Sequence, residues 1–205
     1  MILEINPRNP EPRKIKQVAE ILAKGGVIAY PTDTYYGIGC DLFNKPSIEK
    51  IYKLKRRSPQ QPFSIICSDL KSISEYAQVT NYAYKTMKRL LPGPYTFILE
   101  GSRLVPRIML TKRKAVGIRV PDHPICTAIV KELGHPVIST TATDPENGRI
   151  LETPQEIRDV LGHSLDLIVD GGPVPGRPSS VISLIEDVPE VIRVGSGNVE
   201  IFQTP

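Results

Sequence analysis

Apolar residues recur along this chain at two spacings, and the spacings alternate. Between Arg13 and Lys24, Ile15, Val18, Ala19 and Ile21/Leu22 fall on one helical face, and Gly25-Gly26 stops the run. Val27 to Tyr30 is a short apolar run that reads as a buried strand. Helical spacing returns over Ser47 to Arg56, with Ile48, Ile51 and Tyr52 inward. Phe63 to Cys67 reads as a strand, Asp69 to Ala77 as a helix. Thr80 to Leu91 is a helix broken at Pro92-Gly93-Pro94. Tyr95 to Leu99 and Val116 to Val120 alternate and branch like strands. Pro124 to Leu133 is a helix ended by Gly134, and Val137 to Thr140 a strand. Thr153-Pro154-Gln155-Glu156 is a capping box that opens a helix to Leu161. Ile2 to Ile5 reads as a strand at the start, and Leu165 to Val169, Val181 to Leu184 and Val191 to Val194 as strands at the end.

Strands alternate with helices, without repeats and without a linker-like break. The pattern predicts one α/β domain over residues 1–205, a twisted mixed sheet with helices on its faces. A chain of 205 residues with 40% hydrophobic content has enough apolar material for a sizeable core. Its apolar runs are far shorter than a membrane helix needs, and the N-terminus does not resemble a signal peptide. Cys40, Cys67 and Cys126 lie far apart, with no C-x-x-C, which points to a reducing cytoplasm and not to a zinc site or a disulfide framework.

Charge sharpens this picture. The net charge is +4, but residues 1–119 carry 21 Lys/Arg against 9 Asp/Glu, and residues 120–205 carry 5 against 13. From Ser102 to Val120 there are six cations (Arg103, Arg107, Lys112, Arg113, Lys114, Arg119) and no acid. Either a polyanion meets the basic half, or the two halves neutralise each other on folding.

Candidate chemistry sits at strand and helix ends. "YPTDTYYGIGC", Tyr30 to Cys40, takes an apolar strand into hydroxyls, an aspartate, tyrosine rings and glycines. Gly37 and Gly39 read as bulge or close-packing positions. Lys53-Leu54-Lys55-Arg56-Arg57 closes a helix. Cations favour a helix C-terminus, yet adjacent cations repel and an anion would relieve them. Lys55 and Arg57 would share one side if the chain leaves the helix extended, gripping phosphates as a point charge and a fork. Arg119 and Arg193 each interrupt an apolar strand, and a buried charge must be paired. For Arg119 the choices are an internal salt bridge to Asp122 or Asp170, or a carboxylate or phosphate clamp. Ser139, Thr140, Thr141 and Thr143 end a strand as pocket lining or as turn formers. Asp170-Gly171-Gly172 is a turn, and Ser179-Ser180 opens a strand. No ordinary P-loop, G-x-G-x-x-G, G-x-S-x-G or H-E-x-x-H occurs, and His123, His135 and His163 show no metal-ligand spacing.

Eight segments ("YPTDTYYGIG", "KLKRR", "PGPYTFIL", "VGIRVPDHP", "ISTTA", "DLIVDGG", "SSVISL" and "VIRVG") resemble the YrdC-like family in order and spacing, over nearly the whole chain. The wording of "PGPYTFIL" and "KRKAVGIRVP" is most similar to the YciO branch. The resemblance implies one α/β domain around a large basic cavity, without the C-terminal extra domain of longer relatives. It implies synthesis of L-threonylcarbamoyladenylate from L-threonine, bicarbonate and ATP, with release of pyrophosphate. Mg²⁺ would accompany ATP and no metal would be held by the protein itself. A separate transferase would then modify tRNA, and binding of tRNA or double-stranded RNA is a further implication. Residue by residue, Thr32 would contact threonine and Tyr35 would wall its pocket beside Tyr36. Lys55 and Arg57 would be the catalytic pair on the ATP phosphates, and Arg119 would clamp the threonine carboxylate. Ser139 and Ser179 would lie by threonine; Thr141, Thr143 and Arg193 by the nucleotide. The synthases carry S-x-N where this chain has Thr141-Ala142-Thr143, and Leu91 replaces a tryptophan. The alternative is therefore a YciO-like nucleotide or double-stranded RNA-binding protein with weak or no synthase activity.

Overall fold

The computed structural model describes residues 1–58, 61 and 63–202. Among these residues six α-helices form where the apolar spacing has the 3.6-residue period: α1 Pro12–Ala23, α2 Lys45–Leu54, α3 Leu70–Tyr76, α4 Asn81–Leu90, α5 Pro124–Leu133 and α6 Pro154–Leu161. Their ends follow local chemistry. Gly25 leaves α1 at φ +85, where a side chain would be strained, and its N–H and that of Gly26 donate to the carbonyls of Leu22 and Ile21, both at 2.8 Å. Thr153 and Glu156 form the capping box of α6. α2 begins two residues before the apolar pattern does, because the Asn44 side chain accepts the Ser47 N–H at 3.1 Å and Pro46 fits the first turn.

Among the described residues ten strands make one mixed sheet: β1 Ile2–Glu4, β2 Ile28–Tyr30, β3 Gly37–Gly39, β4 Ser64–Ile66, β5 Tyr95–Glu100, β6 Ala115–Arg119, β7 Val137–Thr141, β8 Leu167–Asp170, β9 Ser180–Ser183 and β10 Glu190–Arg193. Their order is β1-β8-β2-β3-β7-β4-β6-β5-β9-β10. The pairs β1/β8, β2/β8, β4/β6 and β5/β9 are parallel and the others antiparallel. β3 is a strand that the apolar pattern does not announce. Its glycines are close-packing positions: a Cβ on Gly39 would lie 2.2 Å from the Ile138 carbonyl oxygen, so only glycine lets β3 press between β2 and β7.

Side chains alternate across the sheet, and each face has its own cover. One face presents Ala29, Ile38, Ile65, Phe97, Ile118, Ile138, Ile168 and Ile182 to a core shared with α2, α3, α4 and α6. The other presents Ile28, Tyr30, Ile66, Val137, Leu167 and Val169 to α1 and α5. Those two helices cover only one end of that second face. Beyond them the same face turns polar.

Candidate functional site

The uncovered part of the second face is the floor of a cavity of about 410 Å³. Its floor comes from alternate residues of neighbouring strands: Ser64 of β4, Thr96 and Ile98 of β5, Gly117 and Arg119 of β6, Ser139 and Thr141 of β7. The register places Ser64 beside both Gly117 and Ser139. Arg57, Ser179 and Arg193 complete the cationic and hydroxyl lining.

Arg119 is the most constrained cation. Its side chain and that of Asp33 are only 10% and 8% exposed, and an Nη donates to Asp33 Oδ1 at 2.6 Å. The same nitrogen reaches the Thr34 hydroxyl at 3.1 Å. Asp33 Oδ2 accepts the backbone N–H of Asp122 at 3.1 Å. Of the two partners the sequence offered, Asp122 supplies only its backbone, and the ion pair is with Asp33, 86 positions away. Burial pushes the Asp33 carboxyl above its ordinary range, against the pull of Arg119. Arg119 Nε is buried without a hydrogen-bond partner. A guanidinium held through one nitrogen, with a donor left unpartnered, keeps capacity for a further acceptor such as an oxyanion.

Lys55 and Arg57 are separated by a left-handed residue, not by the extended exit that the sequence suggested. Arg56 has φ +47, and the N–H groups of Arg56 and Arg57 donate to the carbonyls of Lys53 and Tyr52, each at 3.1 Å. This is a helix-ending turn of the kind glycine usually makes. It sends Arg56 outward toward Glu146 at 3.4 Å and puts the Arg57 guanidinium 5.2 Å from the Phe63 ring centroid. Lys55 Nζ donates to the Thr141 carbonyl at 2.9 Å and to the Thr143 hydroxyl. Burial, helped by the charge of Arg57, pulls the Lys55 ammonium down to about 8.

Arg193 lies on β10, an exposed edge strand, so the pairing expected of a buried strand arginine does not apply. It finds no acid. Nε and an Nη donate to the Ser179 carbonyl at 3.1 and 2.9 Å, and Nη also reaches the Ser179 hydroxyl at 3.1 Å. Partial burial, then repulsion from Arg119, lowers its pKa. Ser179 Oγ lies 2.8 Å from the Thr96 hydroxyl.

Of the ten residues singled out in the sequence, Arg57, Arg119, Ser139, Thr141, Ser179 and Arg193 line the cavity together. Lys55 and Thr143 stand beside it, joined to each other and, through Lys55, to Thr141. Tyr35 lies close enough to Arg193 to act on it electrostatically. Thr32 is elsewhere: its hydroxyl donates to the Tyr35 carbonyl at 2.6 Å, accepts the Thr34 N–H at 3.1 Å and is 1% exposed as a residue. It shapes the turn that presents Asp33 and Thr34. Tyr36 is no wall either; it is fully buried, and its hydroxyl donates to the Gly172 carbonyl at 2.7 Å. Asp33, Thr34, Ser64 and Thr96 escaped the sequence reading. Ser64 and Thr96 were findable as polar residues interrupting apolar strands, whereas nothing local pairs Asp33 with Arg119.

A family model covering Sua5, YciO and YrdC proteins, described as telomere recombination, matches residues 20–195. The chain belongs to the Sua5/YciO/YrdC family. All the cavity-lining residues fall within the matched span. YciO from Escherichia coli, whose name carries no activity, is 43% identical over 97% of both chains. Its crystal structure superposes with a TM-score of 0.93 at 42% identity, covering 98% of each chain. The threonylcarbamoyl-AMP synthase of Bacillus subtilis is 34% identical over 94% of this chain and 55% of its own. The P. abyssi Sua5 structure complexed with L-threonine gives a TM-score of 0.91 at 25% identity, over 99% of this chain and 60% of the other. The family therefore includes threonylcarbamoyl-AMP synthases among its more distant members. Among the described residues, no group of His, Cys, Asp or Glu is placed to hold a metal ion, and no helix is long and apolar enough to cross a membrane.

Proposed function

We propose that this cavity forms L-threonylcarbamoyladenylate from L-threonine, bicarbonate and ATP. The observation that carries the reading is Arg119, locked by Asp33 and Thr34 in a hydroxyl-lined floor with Nε left unpartnered. The threonine carboxylate takes the guanidinium where it lines the cavity. Ser139, Ser179 and Thr96 surround its amine and hydroxyl. Arg57 and Arg193 meet the ATP phosphates, and Lys55 joins them by leaving Thr141 and Thr143. Mg²⁺ enters as part of the MgATP substrate. Support comes from the Bacillus subtilis synthase and from the L-threonine complex of P. abyssi Sua5.

The chemistry asks for position and charge, not for a protein nucleophile. The threonine amine condenses with bicarbonate, losing water, to give a carbamate. A carbamate oxygen attacks the α-phosphorus of ATP, the bond to the β-phosphate bridge breaks, and pyrophosphate leaves. Two anions must be brought together and the charge growing on the leaving group neutralised, which is the work of fixed cations in a shielded site. The product then passes to a transferase that modifies tRNA. Three free, buried thiols fit a cytoplasmic setting.

The test is pyrophosphate release from ATP that requires both L-threonine and bicarbonate. A second reading rests on the exposed cations Arg103, Arg107, Lys112, Arg113 and Lys114: a double-stranded RNA-binding protein without synthase activity. Its signature is no pyrophosphate release, together with RNA binding whose affinity falls steeply with salt. That outcome replaces the synthase reading.

A further inference from the structure

A second cavity, of about 660 Å³, lies apart from the one described above. It opens at the carboxyl ends of β4 and β6, where Ser68 and Asp69 follow one strand and Val120 to His123 follow the other. β4 and β6 are adjacent and parallel. The helix after β4, α3, packs on one face of the sheet through Ile73 and Tyr76. The helix after β6, α5, packs on the opposite face through Ile125, Cys126, Ile129 and Val130. Neighbouring parallel strands whose following helices leave to opposite faces open a crevice between the layers, and α/β proteins bind ligands in such crevices. The volume is that of a small-molecule site.

Two lysines and a histidine of the lining can meet an anionic head. Lys88 of α4 and Lys131 of α5 enter from the two sides. His123 Nδ1 is buried with no hydrogen-bond partner. The N-terminus of α5, whose Pro124 and Thr127 line the same cleft, has no side-chain cap. Asp69 is already committed, accepting the Ser72 N–H at 2.7 Å and lying 3.2 Å from the Ser68 hydroxyl. Asp122 is exposed. Leu70, Leu91, Pro92 and Val120 offer an apolar wall. We propose that this cleft is a second ligand site, for a small molecule with one phosphate or carboxylate head on a body no larger than a nucleotide. The head takes Lys88, Lys131 and His123, and the body lies on the apolar wall. The site adjoins the Arg119 machinery, because the Asp122 backbone holds Asp33.

The test uses the full chain carrying Lys55→Ala and Arg57→Ala, so that binding in the first cavity does not obscure the result. The ¹³C–¹H signal of the His123 imidazole, assigned by its loss in His123→Gln, is followed at fixed pH. AMP and benzoate are titrated separately. We expect the His123 signal to shift and saturate with at least one probe while that of His163 stays still; the probe that saturates identifies the head. Adding Lys88→Ala and Lys131→Ala, both exposed positions, weakens that binding about tenfold. The proposal is overturned if neither probe moves His123 more than His163. It is equally overturned if the titration is unchanged without the two lysines.

Discussion

Ile66 and Ser64 lie on one strand, two residues apart, on the same face of the sheet; so do Val137 and Ser139 on the strand beside it. Ile66 and Val137 are packed under α1 and α5, while Ser64 and Ser139 line the cavity. The backbone is continuous and the register unbroken. Only the cover changes. Where helices reach, the face is apolar and serves stability; where they stop, the same alternation presents hydroxyls, a glycine and an arginine to a ligand. The site is an uncovered part of the core.

Breaking the buried Arg119–Asp33 pair at this boundary should have the largest effect. Arg119→Ala leaves Asp33 buried and unpaired and should cost about 3–5 kcal/mol in urea unfolding. Replacing both by alanine should restore part of that loss, because no charge then remains buried. A double variant no more stable than the single one would mean that Asp33 is not held by Arg119. The contrast along β4 is next. Ile66→Ala should cost about 2–5 kcal/mol, and Ser64→Ala no more than about 0.5 kcal/mol. Equal losses would erase the distinction between covered and open ends.

At the cavity mouth the effect moves from stability to binding. Lys55→Ala with Arg57→Ala should weaken ATP binding about 10- to 100-fold by calorimetry while unfolding changes by less than about 1 kcal/mol. Lost stability with intact affinity would return these cations to helix-end electrostatics. The smallest effect is a proton. The Lys55 ammonium is pulled from an ordinary 10.5 to about 8 by burial. Between those values the unfolded chain keeps a proton that the folded one has shed, so this residue's contribution to stability grows as pH rises through that window. A phosphate beside Lys55 reverses the shift. ATP binding near pH 8 should therefore take up part of a proton, and affinity should fall as pH rises above 8. Calorimetry in two buffers of different ionisation enthalpy measures the uptake; the absence of uptake would mean that ATP does not reach Lys55.

The elements were largely legible in the chain, for local reasons. Gly25, Gly134 and the Thr153/Glu156 box end or begin helices through bonds within a few residues. Boundaries slipped where a cap lay outside the apolar pattern, as Asn44 does. β3 was illegible because its glycines carry no apolar period, and what makes it a strand is the fit against Tyr30 and Ile138. The two strand arginines show the same limit. Both interrupt apolar runs, yet one lies at the floor of the cavity with an aspartate and the other on an edge strand with a carbonyl.

The sequence by itself determined most of the segments that become helices and strands, β3 excepted, that cations would gather near hydroxyl-rich strand ends, and which family the residues resemble. These follow from period, capping and residue type, all of which act over a few positions. The tertiary structure alone decided strand order, which end of a face is left open, that Thr34 and not Thr32 meets Arg119, and that Asp33 is the partner 86 residues away. Those depend on where distant segments come to lie against one another, and pairing of that range leaves no periodic trace in the chain.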